Sequence, residues 1–129
     1  MLFHSLFVTF FIEAFEYIIM ATTLRDKKYC PVAIASMTLS SKWDLVIIHS
    51  LLSHSSRFSE LKRKISGSFP GELTASSLTR VLRRLESSGL VVKESVKGSV
   101  YPMYGLSQKG KDLQPVLNEL YKWGEKHIP

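Results

Sequence analysis

Three arginines between residues 74 and 88 stand on one side of a predicted helix. At about 100° of rotation per residue, the apolar residues of this stretch share a stripe that must face a core. That stripe consists of Leu78, Val81, Leu82 and Leu85. The opposite side is polar and cationic, and it carries Ser76, Ser77, Thr79, Arg80, Arg83 and Arg84. A guanidinium hydrogen-bonds to phosphate, and to O6 and N7 of guanine, so this side is suited to contact with nucleic acid. Taken alone, the pattern is also typical of an ordinary solvated helix face.

The charge that surrounds this helix favours a polyanion partner over the alternative, an ordinary solvated helix face. Residues 57–97 hold nine Lys or Arg against four acidic residues, and two of these cations, Lys93 and Lys97, follow the helix. The 129-residue chain has a formal net charge of +6. Residues 1–19 hold two of the 11 acidic residues and no Lys or Arg, so the remaining residues carry +8.

Three helices are predicted before the arginine-bearing one. The apolar residues 31–39 predict a short helix, and a second begins after Ser41. Asp44 follows Ser41 by three residues, which is the spacing of a capping box, and Trp43 is expected in the core.

Ser59 is expected to cap the third helix, which follows a short extended segment. Gly, Pro and Ser predict a loop over residues 66–72. The arginine-bearing helix is then expected to begin after Thr74 and to end before Gly89.

A hairpin and a last helix complete the pattern. Residues 90–96 and 100–107 are β-branched or aromatic runs about a glycine-containing turn, and Pro102 should limit its part of the second strand to an edge or a bulge. Ser107 is expected to cap the last helix, which Pro115 should kink or delay. Its apolar face consists of Leu113, Val116, Leu117, Leu120 and Trp123.

The order of elements is helix, helix, short strand, helix, helix, two-stranded hairpin and helix. This order predicts a mainly α fold with a small β-hairpin, an α+β winged helix-turn-helix. Residues 1–19 are predicted to be a separate apolar extension before a single domain over residues 20–129.

The extension has several interpretations. Fifteen of the first twenty residues of the chain are apolar or aromatic. Two interpretations fit this composition about equally. Residues 1–19 form a helix that is buried in a dimer, or the natural translation start is Met20 and these residues are an upstream extension. Glu13 and Glu16 argue against a membrane span, although a membrane tether is kept as a weaker alternative. A positive n-region and a small-residue cleavage site, which a signal peptide needs, are not evident.

Catalysis and metal binding find no support in the residue pattern. Paired carboxylates, a nucleophile with its base, and a phosphate loop are not recognisable, and the four histidines lack a zinc spacing. We therefore expect no enzyme activity, no cofactor and no metal. The single cysteine, Cys30, cannot form an intramolecular disulfide, which fits a cytoplasmic protein.

Several motifs together resemble the HxlR-type branch of the MarR-like winged-helix transcriptional regulators. The resemblance covers roughly residues 29–126, and its most specific parts are Cys30-Pro31-Val32, Lys42-Trp43, Arg57-Phe58-Ser59-Glu60-Leu61, Leu82-Arg83-Arg84-Leu85-Glu86 and the stretch from Tyr104 to Gly110. Ser40-Ser41 stands where that family usually has two glycines, the loop over residues 66–72 is longer than usual, and the hairpin is shorter.

The resemblance implies a homodimer that binds double-stranded operator DNA. The helix that begins after Thr74 would enter the major groove of a pseudo-palindromic site, and a wing at about residues 93–101 would contact the backbone or the minor groove. Terminal helices would form the dimer through Leu113, Val116, Leu117, Leu120 and Trp123. The effector remains unassigned.

Two further interpretations stay open. The basic face of a winged helix can instead meet an acidic protein partner. In some relatives a cysteine at the place of Cys30 senses electrophiles or oxidants, and the neighbouring Lys27 and Lys28 would favour a thiolate here. The alternative for Cys30 is a small buried hydrophobic residue.

Overall fold

In a computed structural model, the chain is described at residues 12, 15, 18 and 29–129. It divides into two compact units, Met1–Ser40 and Ser41–Pro129. In the first unit, helix α1 spans Pro31–Thr38, has a proline in its first turn and buries none of its residues. Ile12, Phe15 and Ile18 are helical and exposed. The other residues of the predicted extension lie outside the described residues, so the predicted boundary between residues 19 and 20 stays a prediction.

Helix α2, Lys42–Ser53, begins the second unit with the predicted capping box. The Ser41 hydroxyl accepts a hydrogen bond from the Trp43 N–H, and the Asp44 carboxylate accepts one from the Ser41 N–H. Two donors that a helix start leaves unsatisfied are thereby paired. The buried face of α2 is formed by Trp43, Ile47, Ile48 and Leu51, which confirms the expectation for Trp43.

Strand β1, Ser56–Arg57, leads directly into helix α3, Phe58–Ser68. The prediction that Ser59 caps this helix is wrong, because Arg57 is the N-cap and makes no side-chain capping bond. The helix also continues through residues 66–68, for which the sequence predicts a loop. It ends at Phe69 because a residue that precedes proline is pushed into the extended region. Leu61 and Ile65 are buried.

Helix α4, Ala75–Ser87, is the arginine-bearing helix and has the predicted ends. Thr74 caps its start by accepting a hydrogen bond from the Ser77 N–H. After the helix, Gly89 adopts a φ of +76°, its N–H bonds to the Glu86 carbonyl, and the Leu90 N–H bonds to the Leu85 carbonyl. This pair of bonds is a Schellman motif, which requires a left-handed residue at the position of Gly89.

A three-stranded antiparallel sheet follows, with the order β1-β3-β2. Strand β2 is Val91–Glu94 and strand β3 is Met103–Leu106, with Lys93 opposite Tyr104. The hairpin lies where it was predicted, although both strands are shorter. Pro102 precedes β3 and so removes no ladder hydrogen bond from this central strand. The pairing of β1 with β3 was not predicted.

The C-terminal helix is broken in two, as the proline indicated. Helix α5 is Gln108–Lys111, with Ser107 as its N-cap, and helix α6 is Gln114–His127, with Pro115 in its first turn. A proline in the first turn loses no helical hydrogen bond, whereas one inside a continuous helix would. Among the described residues, no single helix is long and apolar enough to cross a bilayer, and α1 and α2 pass that test only when taken together.

Candidate nucleic-acid interface

The first turn of α4 presents a group of hydroxyls. Thr74 Oγ1 donates to Ser77 Oγ at 2.9 Å and lies 3.3 Å from Ser76 Oγ. Ser76 is exposed, whereas Ser77 is half-buried. Because these side chains are short, another surface can approach this end of the helix closely.

Arg80 and Arg83 occupy the exposed side of α4 beyond that turn. Both are exposed, and neither forms an ion pair with another described residue. Leu78, Val81, Leu82 and Leu85 are all buried on the opposite side, as the periodicity predicted. The two guanidinium groups are therefore available to an anion. We call Ser76, Arg80 and Arg83 the cationic row.

Two residues assigned to DNA contact have other contacts in this structure. Thr79 is half-buried, and its hydroxyl donates to the Ala75 carbonyl within the helix. Arg84 forms an ion pair with Asp44 of α2 through Nη2 and Oδ1. The helical wheel carried a weak signal for this difference, because Arg84 lies only about 60° from Val81 and so borders the buried side.

The wing of the fold consists of β2, β3 and the intervening residues 95–102. Lys93 is exposed on β2, with its ammonium 6.0 Å from the centroid of the Tyr104 ring. Lys97 is exposed in the turn, where Gly98 has a φ of +83°. A positive φ of this kind is readily adopted by glycine, which allows the tight turn.

One arginine of the cationic row and one lysine of the wing act on the same carboxylate, that of Glu86. Partial burial raises the pKa of the Glu86 carboxyl, while the positive charges of Lys93 and Arg83 act in the opposite direction. Both cations therefore lie within electrostatic range of one carboxylate. Helix α4 also packs on β2. The geometry thus brings together cations from two elements that the sequence could only place separately.

The wing tip also exposes two apolar side chains that were expected to belong to a strand. Val100 is 91% exposed and Tyr101 is 66% exposed. Ser99 holds this turn, since its Oγ accepts a hydrogen bond from the Tyr101 N–H at 3.2 Å. The glycine-containing turn predicted the reversal of the chain but gave no sign that the tip extends as far as Pro102.

Four of the five residues assigned to a dimer interface remain partly or fully exposed. Val116, Leu120 and Trp123 are 54%, 44% and 63% exposed, and Leu113 is half-buried. Leu117, in contrast, is only 4% exposed within the single chain. Its apolar surface is therefore already covered, which the helical period alone could not distinguish.

Cys30 is exposed and is the N-cap of α1, so the interpretation as a buried hydrophobic residue is wrong. The backbone N–H groups of Ala33 and then Val32 favour the thiolate and lower the pKa of the Cys30 thiol, although neither forms a full capping bond. The cause expected from the sequence, Lys27 and Lys28, lies outside the described residues. No group of three or more potential metal ligands occurs among the described residues.

Comparison with known proteins assigns this fold to a family. The model of the HxlR-like helix-turn-helix family matches residues 38–129. A protein of Methanothermobacter thermautotrophicus, described as a helix-turn-helix-type transcriptional regulator, is 36% identical over 108 residues, which cover 79% of this chain and 75% of that protein.

Solved structures agree with this assignment. A protein of Porphyromonas gingivalis W83, described as a MarR-family transcriptional regulator, has a TM-score of 0.68 and 28% identity, covering 79% of this chain and 96% of its own. The redox regulator HypR in its oxidised form has a TM-score of 0.66 and 29% identity, covering 78% and 99%. Together with the winged helix-turn-helix and its exposed cationic row, these findings show that the chain belongs to the HxlR-like family, whose members are transcriptional regulators rather than enzymes.

Proposed function

We propose that this protein binds double-stranded operator DNA as a homodimer and so regulates transcription in the cytoplasm. The observation that carries the proposal is the cationic row, which is exposed, lacks ion-pair partners among the described residues and adjoins the cationic wing. In a winged helix-turn-helix, the helix at this position enters the major groove. The family relationship supports the same role.

Within this proposal, phosphate contacts supply most of the affinity and base contacts supply the sequence preference. The N–H groups of the first turn of α4 and the positive end of the helix dipole attract a phosphate. Arg80 and Arg83 reach base edges from the row, with Ser76 and Ser77 close to the groove. Lys93 and Lys97 neutralise backbone phosphates from the wing.

Dimerisation is proposed through the exposed apolar face of α6. Val116, Leu120 and Trp123 recur at helical spacing and leave an apolar stripe that a second copy would cover. Two identical DNA-binding surfaces related by a two-fold axis then read a pseudo-palindromic site. Leu113 lies at the start of this stripe, and Leu117 supports it from inside the chain.

The proposal is tested by selecting bound fragments from genomic DNA and measuring their affinity in mobility shifts at two salt concentrations. Enrichment of a pseudo-palindrome that resists random competitor DNA is expected, and the affinity should fall steeply with salt. Binding that is equal for all duplexes would contradict sequence specificity. No binding to any duplex would favour the alternative function, an interaction of the basic face with an acidic protein.

A second candidate function, thiol-based sensing, is favoured by the exposure of Cys30 and the lowered pKa of its thiol. The similarity to HypR, a redox regulator, points the same way. In this proposal an electrophile or oxidant modifies the Cys30 thiolate and changes operator affinity. Since Cys30 is the single cysteine, a disulfide would have to join two chains or a small thiol. A Cys30→Ser protein should keep operator binding and lose its response to diamide or a quinone.

A further inference from the structure

A buried carboxylate connects α2 to the helix that bears the cationic row. Asp44 is fully buried, and its oxygens accept hydrogen bonds from the Ser41 N–H at 3.0 Å and the Ser41 hydroxyl at 2.9 Å. Nη2 of Arg84 donates to the same carboxylate from α4. Asp44 therefore does two things at once: it completes the capping box of α2 and it holds a residue of α4.

Arg84 is oriented toward this carboxylate rather than toward solvent. Its side chain is 40% exposed, but Nε is buried and has no hydrogen-bond partner among the residues that the structure describes. Arg80 and Arg83 on the same helix form no such contact with any described residue. Removing a partner from a buried charge is costly, so Asp44 strongly favours the arrangement in which Arg84 stays in place.

We propose that Arg84 is a positioning residue, which through Asp44 fixes the rotation of α4 about its own axis and so aims the cationic row. The buried apolar side of α4 sets which side of the helix meets the core. The ion pair adds a directional contact at the border of that side, where Arg84 lies. This inference rests on the proposed DNA-binding role of α4.

The size of the effect follows from helix geometry. Side chains extend to about 5–6 Å from a helix axis, so a rotation of about 20° moves their positions by about 2 Å. Hydrogen bonds to base edges tolerate only a few tenths of an ångström around their usual length of about 2.9 Å. Phosphate contacts by flexible cations tolerate more, so loss of the pair should reduce sequence discrimination before it reduces non-specific binding.

The test compares Arg84→Met, Asp44→Asn and the double variant with the wild-type protein. Lys122→Met is the matched control, because it removes one cation of an exposed ion pair on α6. Affinity is measured for the selected operator and for a random duplex of equal length over a range of salt concentrations. Thermal unfolding is measured in parallel.

Arg84→Met is expected to reduce the ratio of operator to random affinity at least tenfold, with the salt slope on random DNA unchanged. The double variant should regain thermal stability, because no unpaired buried carboxylate remains, but should not regain the ratio. If the slope of log affinity against log salt on random DNA became shallower by about one in Arg84→Met, Arg84 would be a phosphate contact. That result would overturn the proposal. If the double variant regained both its thermal stability and the ratio of operator to random affinity, the ion pair would be a purely stabilising contact. That result would overturn the positioning role of Arg84.

Hydrogen exchange separates this inference from the proposed function. In Arg84→Met, the amides of α4 are expected to exchange at least tenfold faster relative to those of α2 than they do in the wild-type protein. Were the wild-type protein to bind no duplex, the proposed function would fail while this measurement still reported on α4. Exchange that accelerates equally throughout residues 41–129 would overturn the positioning role.

Discussion

The backbone of Gly110 lies directly against the carbonyl oxygen of Leu90. A Cβ atom at position 110 would overlap that oxygen and would also lie 3.1 Å from Leu106 Cδ2. Any side chain at this position would therefore force the Leu90 carbonyl or helix α5 to shift. The same contact region contains the hydrogen bond from the Ser107 N–H to the Leu90 carbonyl at 3.0 Å, which joins the C-terminal helices to the end of the Schellman motif.

The first prediction follows from this contact. Gly110→Ala should lower the free energy of unfolding by about 1–3 kcal/mol, because a backbone carbonyl must move to admit the methyl group. Gly67→Ala is the matched control, since Gly67 lies in helix α3 with open space around it. That change should raise the free energy by about 0.5–1 kcal/mol. The free energy of unfolding of both variants is measured by urea denaturation. Equal changes in Gly110→Ala and Gly67→Ala would contradict the packing of Gly110 against the Leu90 carbonyl.

Arg80 and Arg83 should each contribute to sequence recognition. Changing either to alanine is expected to weaken operator binding by about 1–3 kcal/mol and to relax the preference at particular base pairs. Lys126→Ala removes an exposed cation from α6 and serves as the control. The measurement is titration of the selected operator and of its single-base variants. Unchanged affinity in both arginine variants would refute the assignment.

Lys97 should act through phosphate. A Lys97→Ala protein is expected to lose affinity to a similar extent on operator and random DNA, because a backbone contact carries no sequence information. The slope of log affinity against log salt should become shallower by about one. Fluorescence anisotropy over a salt series measures both quantities. A loss confined to one sequence would show that the wing reads bases.

The exposed face of α6 should control the oligomeric state. Leu120→Glu places a charge in the centre of the apolar stripe, and burying an unpaired charge in an interface is unfavourable. The dimer dissociation constant is expected to rise at least tenfold in sedimentation equilibrium. Lys126→Glu, on an exposed position of the same helix, should leave it nearly unchanged. A monomeric wild-type protein would contradict the proposed dimer.

The Cys30 thiol should ionise at a lower pH in the folded chain than in the denatured chain. Its pKa is lowered by the first-turn N–H groups of Ala33 and Val32, so the thiolate fraction near neutral pH is larger when α1 is formed. The rate of alkylation by iodoacetamide, followed against pH, reports on this residue alone because the chain has one cysteine. Coincident profiles in buffer and in concentrated urea would show that α1 has no such effect.

Local chemistry made several features predictable. The start of α2 depends on Ser41 and Asp44, which are three residues apart, and the ends of α4 depend on Thr74 and Gly89. The break before α6 follows from the missing N–H of Pro115. Each of these signals acts between residues within about one turn of helix, so the amino-acid sequence carries it directly.

Contacts between distant residues decided the rest. The amino-acid sequence by itself determined that Arg80, Arg83 and Arg84 share the polar side of one helix, through the helical period. Only the tertiary structure separated them, because Asp44 lies 40 residues from Arg84 and meets it after α2 and α4 have packed. The same holds for β1, which pairs with β3 across the fold, and for Leu117, which is covered by its own chain. Periodicity states which side of a helix a residue occupies, whereas its partner depends on the packing of whole elements.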